Sequence, residues 1–272
     1  MAATAKTIKK TKIAIIGAAG RMGQRIAALA AENDAFQIVC ATEYSGSPDL
    51  GKDLGQVAGI GPLGIEITDE LTGEKPDVAI DFSLPDGTMK FLAPCRDGGI
   101  AMVIGTTGLT AEQEAEIDAA TKIIPIVKAG NYSMGITLLC KLVATAAKAL
   151  GEGYDIEITE THHRFKQDAP SGTAIMLAKS ACDGADKDYE ASAVHGRQGD
   201  APRQPGEIGM HAIRLGDTIG EHTVSFGSLG ETVTLGHSAH TRDTFVRGAL
   251  HAGQWLQTAT PGMYDMADVL GL

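Results

Sequence analysis

The most constraining feature of this chain is an apolar run, Lys12-Ile13-Ala14-Ile15-Ile16, that passes without a break into Gly17-Ala18-Ala19-Gly20-Arg21-Met22-Gly23. A short continuous apolar stretch is what a strand buried on both faces of a parallel sheet requires. The glycines then demand a tight turn, and Ile26, Ala27, Ala30 and Ala31 continue at helical spacing. Strand, glycine turn and helix are together the setting of a dinucleotide-binding loop. Gly17 permits the turn, Gly20 lets backbone approach a pyrophosphate, and Gly23 allows helix and strand to pack closely. Ala18, Ala19, Arg21 and Met22 complete the candidate cofactor loop. The spacing is G-x-x-G-x-x-G rather than the commoner G-x-G-x-x-G, so the next strand must carry part of the argument. Residues 37–42 form that strand and end at Glu43, 20 residues beyond Gly23. A carboxylate there can accept hydrogen bonds from adenosine ribose hydroxyls. Tyr44 follows where a basic residue would favour a 2′-phosphate, so the reading favours NADH, with Arg21 leaving NADPH open.

The strand–helix alternation then repeats. Residues 45–74 are rich in Gly, Pro and Asp and read as loops without chemistry. Residues 77–83 are a strand, 85–96 a helix opened by proline, and 100–104 another buried strand. It ends in Gly105-Thr106-Thr107-Gly108, before a capping-box helix start at Thr110-Ala111-Glu112-Gln113. A strand at 123–127 runs into Lys128-Ala129-Gly130-Asn131-Tyr132-Ser133. Repeated units of this kind build a doubly wound parallel sheet that binds its ligand across the strand C-termini. Gly105, Thr106 and Thr107, with Ala129, Gly130, Asn131 and Tyr132, would face the nicotinamide half of the cofactor.

Ser133 opens a long amphipathic helix closed by Gly151, and after it the pattern changes to strands at 154–160, 191–196 and 208–214. Strands at 222–226 and 231–235 form a hairpin through the four-residue loop Gly227-Ser228-Leu229-Gly230. The expected fold is therefore α/β: a Rossmann-like doubly wound parallel sheet plus a second, α+β domain with a mixed or antiparallel sheet covered by helices on one face. The expected division is 1–132, completed by 243–272, and 133–242.

The densest chemistry lies at Glu160-Thr161-His162-His163-Arg164-Phe165-Lys166-Gln167-Asp168-Ala169-Pro170-Ser171-Gly172-Thr173. It follows an alternating strand and ends in a helix start with Ser171 as the natural N-cap. The first amides of that helix, at Gly172 and Thr173, can hold a carboxylate. Formal charge sharpens the point, because 23 Lys and Arg against 34 Asp and Glu give −11. An acidic chain is poorly suited to nucleic acid or anionic membranes, so positive charge gathered at residues 162–166 points to a small anionic ligand. Only 4% of residues are aromatic, which leaves little for base stacking. Cys40, Cys95, Cys140 and Cys182 are far apart in apolar runs and read as reduced core residues rather than disulfides or a zinc site. The first ten residues lack an apolar core of secretory length, and no stretch is expected to reach the roughly 18 apolar residues of a membrane span. The chain is expected to be cytoplasmic.

The glycine turn at 17–23, Gly105-Thr106-Thr107-Gly108, Ala129-Gly130-Asn131-Tyr132-Ser133 and the block from Glu160 to Ala174, in that order, resemble the 4-hydroxy-tetrahydrodipicolinate reductase family, formerly called dihydrodipicolinate reductases, over essentially the whole chain. The resemblance implies a cofactor domain and a substrate-binding and oligomerisation domain hinged to it, assembled as a homotetramer through the second domain's sheets. It implies NADH- or NADPH-driven reduction of a cyclic imine dicarboxylate to tetrahydrodipicolinate with loss of water, in lysine and diaminopimelate synthesis. By position, His162 is the proton donor or acceptor, and Lys166 a second donor and the partner of a substrate carboxylate. His163, Ser171, Gly172 and Thr173 belong to the substrate site. Family members with a basic residue after the acid use both cofactors readily, and Tyr44 departs from that. Two other classes compete with this reading: a nicotinamide-sensing regulator without catalysis, and a metal hydrolase using His162, His163, His195 and His211. Adjacent histidines on a strand point to opposite faces and suit one metal ion poorly, so no metal is expected. His222, His237, His240 and His251 read as surface or structural residues.

Overall fold

The computed structural model describes residues 10–272; the segment 1–9, including most of the stretch read as lacking a secretory core, lies outside the described residues. The described residues divide into two compact units, one formed by 10–132 with 245–271 and the other by 133–244.

The first unit alternates strands and helices: β1 (Thr11–Ile16), α1 (Arg21–Ala31), β2 (Phe36–Thr42), α2 (Leu54–Val57), β3 (Ile67–Thr68), β4 (Val78–Asp81), α3 (Pro85–Gly98), β5 (Ala101–Ile104), α4 (Ala111–Ala120) and β6 (Pro125–Lys128). The second contributes α5 (Met134–Leu150), β7 (Asp155–His162), α6 (Gly172–Ala185), α7 (Tyr189–Ser192), β8 (Ala193–His195), β9 (Ile208–Arg214), β10 (Gly220–Ser228) and β11 (Glu231–Ala239). The chain then returns to the first unit through α8 (Asp243–Trp255), β12 (Gly262–Tyr264) and α9 (Met266–Leu270).

All seven strands of the first sheet are parallel, in the order β12-β6-β5-β4-β1-β2-β3. Sequence order reverses on either side of β1 and β4, the crossover that places a ligand at the strand C-termini in such sheets. Every residue of β4 and β5 is buried, which is why β5 reads as an unbroken apolar run and β4 as one that breaks only at its last residue, Asp81. Thr110 caps α4 and Gln113 returns the bond, as the capping-box pattern requires.

The second sheet is mixed, in the order β11-β10-β7-β9-β8, with β7, β9 and β8 parallel and β10 and β11 antiparallel. Ile156, Ile158, Val224 and Phe226 on its inner face pack with Leu139 and Val143 of α5 and Leu177, Ala178 and Ala181 of α6. Two local expectations are corrected. The hairpin loop is Leu229-Gly230 alone, because the ladder continues to Ser228 opposite Glu231, and Gly230 takes the positive φ of 108° that a side chain disfavours. The strand expected over 191–196 begins at Ala193, because Asp188 caps the short helix α7 by accepting from the Ala191 amide.

A third correction concerns membrane-length segments. Met134–Gly153 is long and apolar enough by length and composition to cross a membrane, with a mean hydropathy of 1.4. In this structure α5 buries Ile136, Leu139, Val143 and Ala147 against the second unit's core and leaves Leu138 and Leu142 exposed. Cys40, Cys95 and Cys182 are buried, Cys140 partly so, and all four are free thiols.

Candidate active site

In the first unit, β1 delivers Gly17 with φ of 75°, and a Cβ there would lie 3.0 Å from the Ser83 Cα. Gly23 is more tightly held, since a Cβ would lie 2.2 Å from the Gly17 carbonyl oxygen. Gly20 caps α1 with no side chain reaching the helix start, so the first-turn amides present an unshielded positive end. Glu43, at the end of β2, turns toward this loop: its Oε1 accepts from the Ala19 amide at 3.0 Å and its Oε2 from the Tyr44 amide at 3.3 Å. Gly17, Gly20, Glu43, Tyr44, Ser45 and Phe82 are among the residues lining a cleft of about 530 Å³ at these strand ends. A glycine cradle, bare helix amides and a carboxylate beside the turn fit the pyrophosphate and ribose of a nicotinamide dinucleotide.

Asp81, at the end of β4, is fully buried and accepts from the Ser83 amide, from Ser83 Oγ, from Thr88 Oγ1 at 2.5 Å and from Thr106 Oγ1 at 3.3 Å. Burial raises its pKa, opposed by those hydrogen bonds. It ties Thr106 to the β4 end, and Gly105 lies beneath the Phe82 ring, which a Cβ would meet at 2.3 Å. Thr107 is exposed beside them. Ala129, Gly130 and Asn131 follow β6. Tyr132, placed with the cofactor segments by the sequence, is fully buried, with its hydroxyl 2.8 Å from the Ile104 carbonyl oxygen and 3.0 Å from that of Val127. Its side chain belongs to the core, and anything it offers a ligand comes from backbone. Arg21 and Met22 begin α1, with Arg21 exposed.

In the second unit β7 buries alternate residues, Ile156, Ile158, Glu160 and His162. The face that starts apolar thus ends in a carboxylate and an imidazole. Register supplies their neighbours, with His162 paired to Arg214 on β9 and Glu160 to His222 on β10. Glu160 is 1% exposed and accepts from His162 Nδ1 at 2.6 Å, from Arg214 at 2.8 and 2.9 Å, and from the Ser171 amide at 3.0 Å. Burial alone would raise its pKa, but the bonds from Arg214, His162 and Ser171 bring it below the usual carboxylate value. An anionic Glu160 fixes the proton of His162 on Nδ1, so Nε2 is the atom free to exchange a proton. Burial pushes the His162 pKa down, while Glu160 pulls it back up.

Ser171 caps α6, its Oγ accepting from the Ala174 amide at 3.1 Å and lying 3.1 Å from His222 Nε2. Both of its polar groups therefore have partners within the protein, and it supports the site rather than reaching out of it. Gly172 is open, with no atom within 4 Å of a Cβ built there, and Thr173 follows it in the first turn. Lys166 directs its ammonium at both oxygens of Asp168, each at 2.8 Å. His163 is partly buried, with its Nδ1 enclosed and without a hydrogen-bond partner, and its ring 6.3 Å from that of Phe165.

Of the two readings, surface or structural, His222 takes the second. It is 4% exposed, its ring centroid lies 5.1 Å from that of His162, and burial lowers its pKa to about 4. His237, paired to it in register, also has its pKa lowered by burial. Sequence reasoning missed Glu160, Arg214 and His222. The period of two along β7 could have found Glu160; the other two depend on strand register.

A family model described as dihydrodipicolinate reductase, N-terminus, matches residues 11–132, and one described as dihydrodipicolinate reductase, C-terminus, matches residues 135–270. The chain belongs to the dihydrodipicolinate reductase family. Similar curated proteins include the 4-hydroxy-tetrahydrodipicolinate reductases of Alkalilimnicola ehrlichii, 48% identical over 96% of this chain and 99% of that protein, and of Syntrophotalea carbinolica, 44% identical with the same coverage. Among solved structures, dipicolinate-bound dihydrodipicolinate reductase from Paenisporosarcina sp. TG-14 shares the fold with a TM-score of 0.75 at 24% identity, covering 96% of this chain and 99% of that one. Membership in this family of NAD(P)H-dependent oxidoreductases makes the chain an enzyme that uses a nicotinamide cofactor and a small-molecule substrate, rather than a regulator.

Proposed function

We propose that the chain reduces 4-hydroxy-tetrahydrodipicolinate to tetrahydrodipicolinate, with loss of water, in lysine and diaminopimelate synthesis. The first unit is the dinucleotide-binding domain and the second the substrate-binding and oligomerisation domain. A bound nicotinamide would supply hydride to the conjugated imine. Charge that builds on the ring as hydride arrives needs a proton or a cation close by. His162 meets that need through Nε2, because Glu160 holds Nδ1; this hydrogen bond at 2.6 Å carries the reading. Lys166 suits a substrate carboxylate, which would take the place now held by Asp168 at the ammonium. The Gly172 and Thr173 amides suit a carboxylate at the start of α6, and His163 and Ser171 complete the pocket, Ser171 by holding Glu160 and His222 in place.

NADH is the proposed first cofactor and NADPH the alternative. Gly17, Ala18, Ala19, Gly20, Arg21 and Met22 would hold the pyrophosphate and Glu43 the adenosine ribose. Gly105, Thr106 and Thr107 with Ala129, Gly130, Asn131 and the Tyr132 backbone would lie toward the nicotinamide. A homotetramer and a cytoplasmic location complete the proposal, the latter supported by the biosynthetic role of the named relatives.

His162→Ala is expected to lower kcat by about 100-fold or more, within the range for loss of a general acid, and to leave NADH affinity in place. Lys166→Ala should lose both rate and substrate affinity. The assay follows reduced-nicotinamide absorbance with enzymatically generated substrate, and an unchanged kcat in His162→Ala would remove the assigned role.

A further inference from the structure

The residue after Glu43 is Tyr44, 63% exposed and without a cationic group, so the end of β2 offers no cation for a 2′-phosphate. The fold brings one from another element. On α3, Gly87, Lys90 and Phe91 share the helix face that lines the same cleft as Glu43, Tyr44 and Ser45. Lys90 Nζ stands 3.3 Å from Ser45 Oγ, two positions beyond Glu43, and is the only Lys or Arg among the described residues lining this cleft. Its ammonium has no close ion pair: Asp69, half exposed, is 4.0 Å away, whereas Lys12 has Glu74 at 2.6 Å. The other neighbour of the Lys90 ammonium is the Phe91 ring, 5.4 Å from the centroid.

We propose that Lys90, with the Ser45 hydroxyl, is the anchor for the 2′-phosphate of NADPH and gives this chain use of the phosphorylated cofactor despite Tyr44. The assignment rests on the nicotinamide reading above. A 2′-phosphate carries close to two negative charges and oxygens able to accept from both an ammonium and a hydroxyl. Glu43 stays bound to the Ala19 and Tyr44 amides and continues to serve the unphosphorylated ribose, so one cleft can take either cofactor. Asp86 and Glu43, the two acids lining the same cleft, oppose the phosphate, so Lys90 is needed to offset them.

The test is direct binding to the purified full-length protein, without substrate, by titrating NADH and NADPH and, in parallel, 5′-AMP and 2′,5′-ADP. Wild type is expected to bind 2′,5′-ADP more tightly than 5′-AMP. Lys90→Gln should reduce the NADPH-to-NADH affinity ratio at least fivefold, Lys90→Glu should reduce it further, and Lys90→Arg should keep it. Raised salt should weaken NADPH binding more in wild type than in Lys90→Gln. An unmoved ratio in Lys90→Gln, with both cofactors still bound, overturns this assignment alone. Failure of wild type to bind either dinucleotide overturns the nicotinamide reading and this inference with it.

Discussion

Glu160 spends a nearly inaccessible carboxylate on four hydrogen bonds, two from Arg214 and one each from His162 and Ser171. Removing such a group leaves Arg214 short of its partner as well, so its role has to be read from a pH profile rather than from rate alone. The sign follows from the causes. Burial holds the His162 pKa below its ordinary 6.5, and Glu160 opposes that shift. If the protonated ring is the donor, kcat/KM falls as pH rises, with a break below 6.5 in the free enzyme. A dianionic substrate beside the ring favours the imidazolium, so the break in kcat should lie at higher pH than that in kcat/KM. Glu160→Gln takes away the charge that raises the His162 pKa. It should move the kcat/KM break to lower pH and reduce the rate at pH 7 by about tenfold or more. Matching profiles in wild type and a folded E160Q would show that Glu160 does not govern this proton. Much of the candidate site was legible at this scale. The histidines, Lys166 and the Ser171 cap stand in one block, and strand alternation through Ile156 and Ile158 reaches Glu160. Nothing in the sequence pairs Arg214 with His162, because that pairing is a property of the β7–β9 register.

At the scale of elements, the contact between α1 and β1 depends on the absence of a side chain at Gly23. A Cβ there would lie 2.2 Å from the Gly17 carbonyl oxygen and 2.7 Å from both the Ala18 Cα and the Ala18 carbonyl oxygen, all backbone atoms with no rotamer to yield. The helix must therefore move away from the strand, taking its first-turn amides with it. Gly23→Ala should lower stability by about 1–3 kcal/mol, as overpacking does, and weaken NADH binding by about tenfold or more. Urea unfolding and a cofactor titration on the same preparation check the two effects, and retention of both would show that the turn tolerates displacement. The central parallel strands β1, β4 and β5 were the most legible elements, because burial on both faces leaves mostly apolar residues to read; β3, inside a stretch read as loop, and β12 are two- and three-residue strands too short to carry a pattern. The second unit was less so. Asp188 had the chemistry of a helix cap, yet residues 191–192 read as strand because Ala193 and Val194 continue into one. Gly227 and Ser228 read as loop although their backbone completes the ladder of β10.

For the whole molecule, the sequence pattern raises the expectation that the chain leaves its first sheet and comes back, since a helical periodicity resumes at Thr244 after the last hairpin. It could not show where the second sheet ends. The structure leaves β11 with β10 on one side and, among the described residues, no strand on the other, over nine residues from Glu231 to Ala239. An open edge of that length invites pairing with another chain unless it is covered. Apolar groups accompany it: Val233 on β11 is 37% exposed, Leu229 at the hairpin tip fully exposed, and Leu138 and Leu142 on α5 stand one helical turn apart at 45% and 44%. Closed symmetric assembly is the usual way to bury such surfaces, and these features support the proposed homotetramer built through the second unit. Light scattering on the eluting peak should give close to four times the 28.2 kDa chain mass. Val233→Lys, which places a charge on the edge strand, should shift the distribution to smaller species while the far-ultraviolet circular dichroism stays that of the folded chain. A single-chain mass for wild type at micromolar concentration would overturn the assembly, and leave Val233 and Leu229 as exposed apolar surface still to be explained.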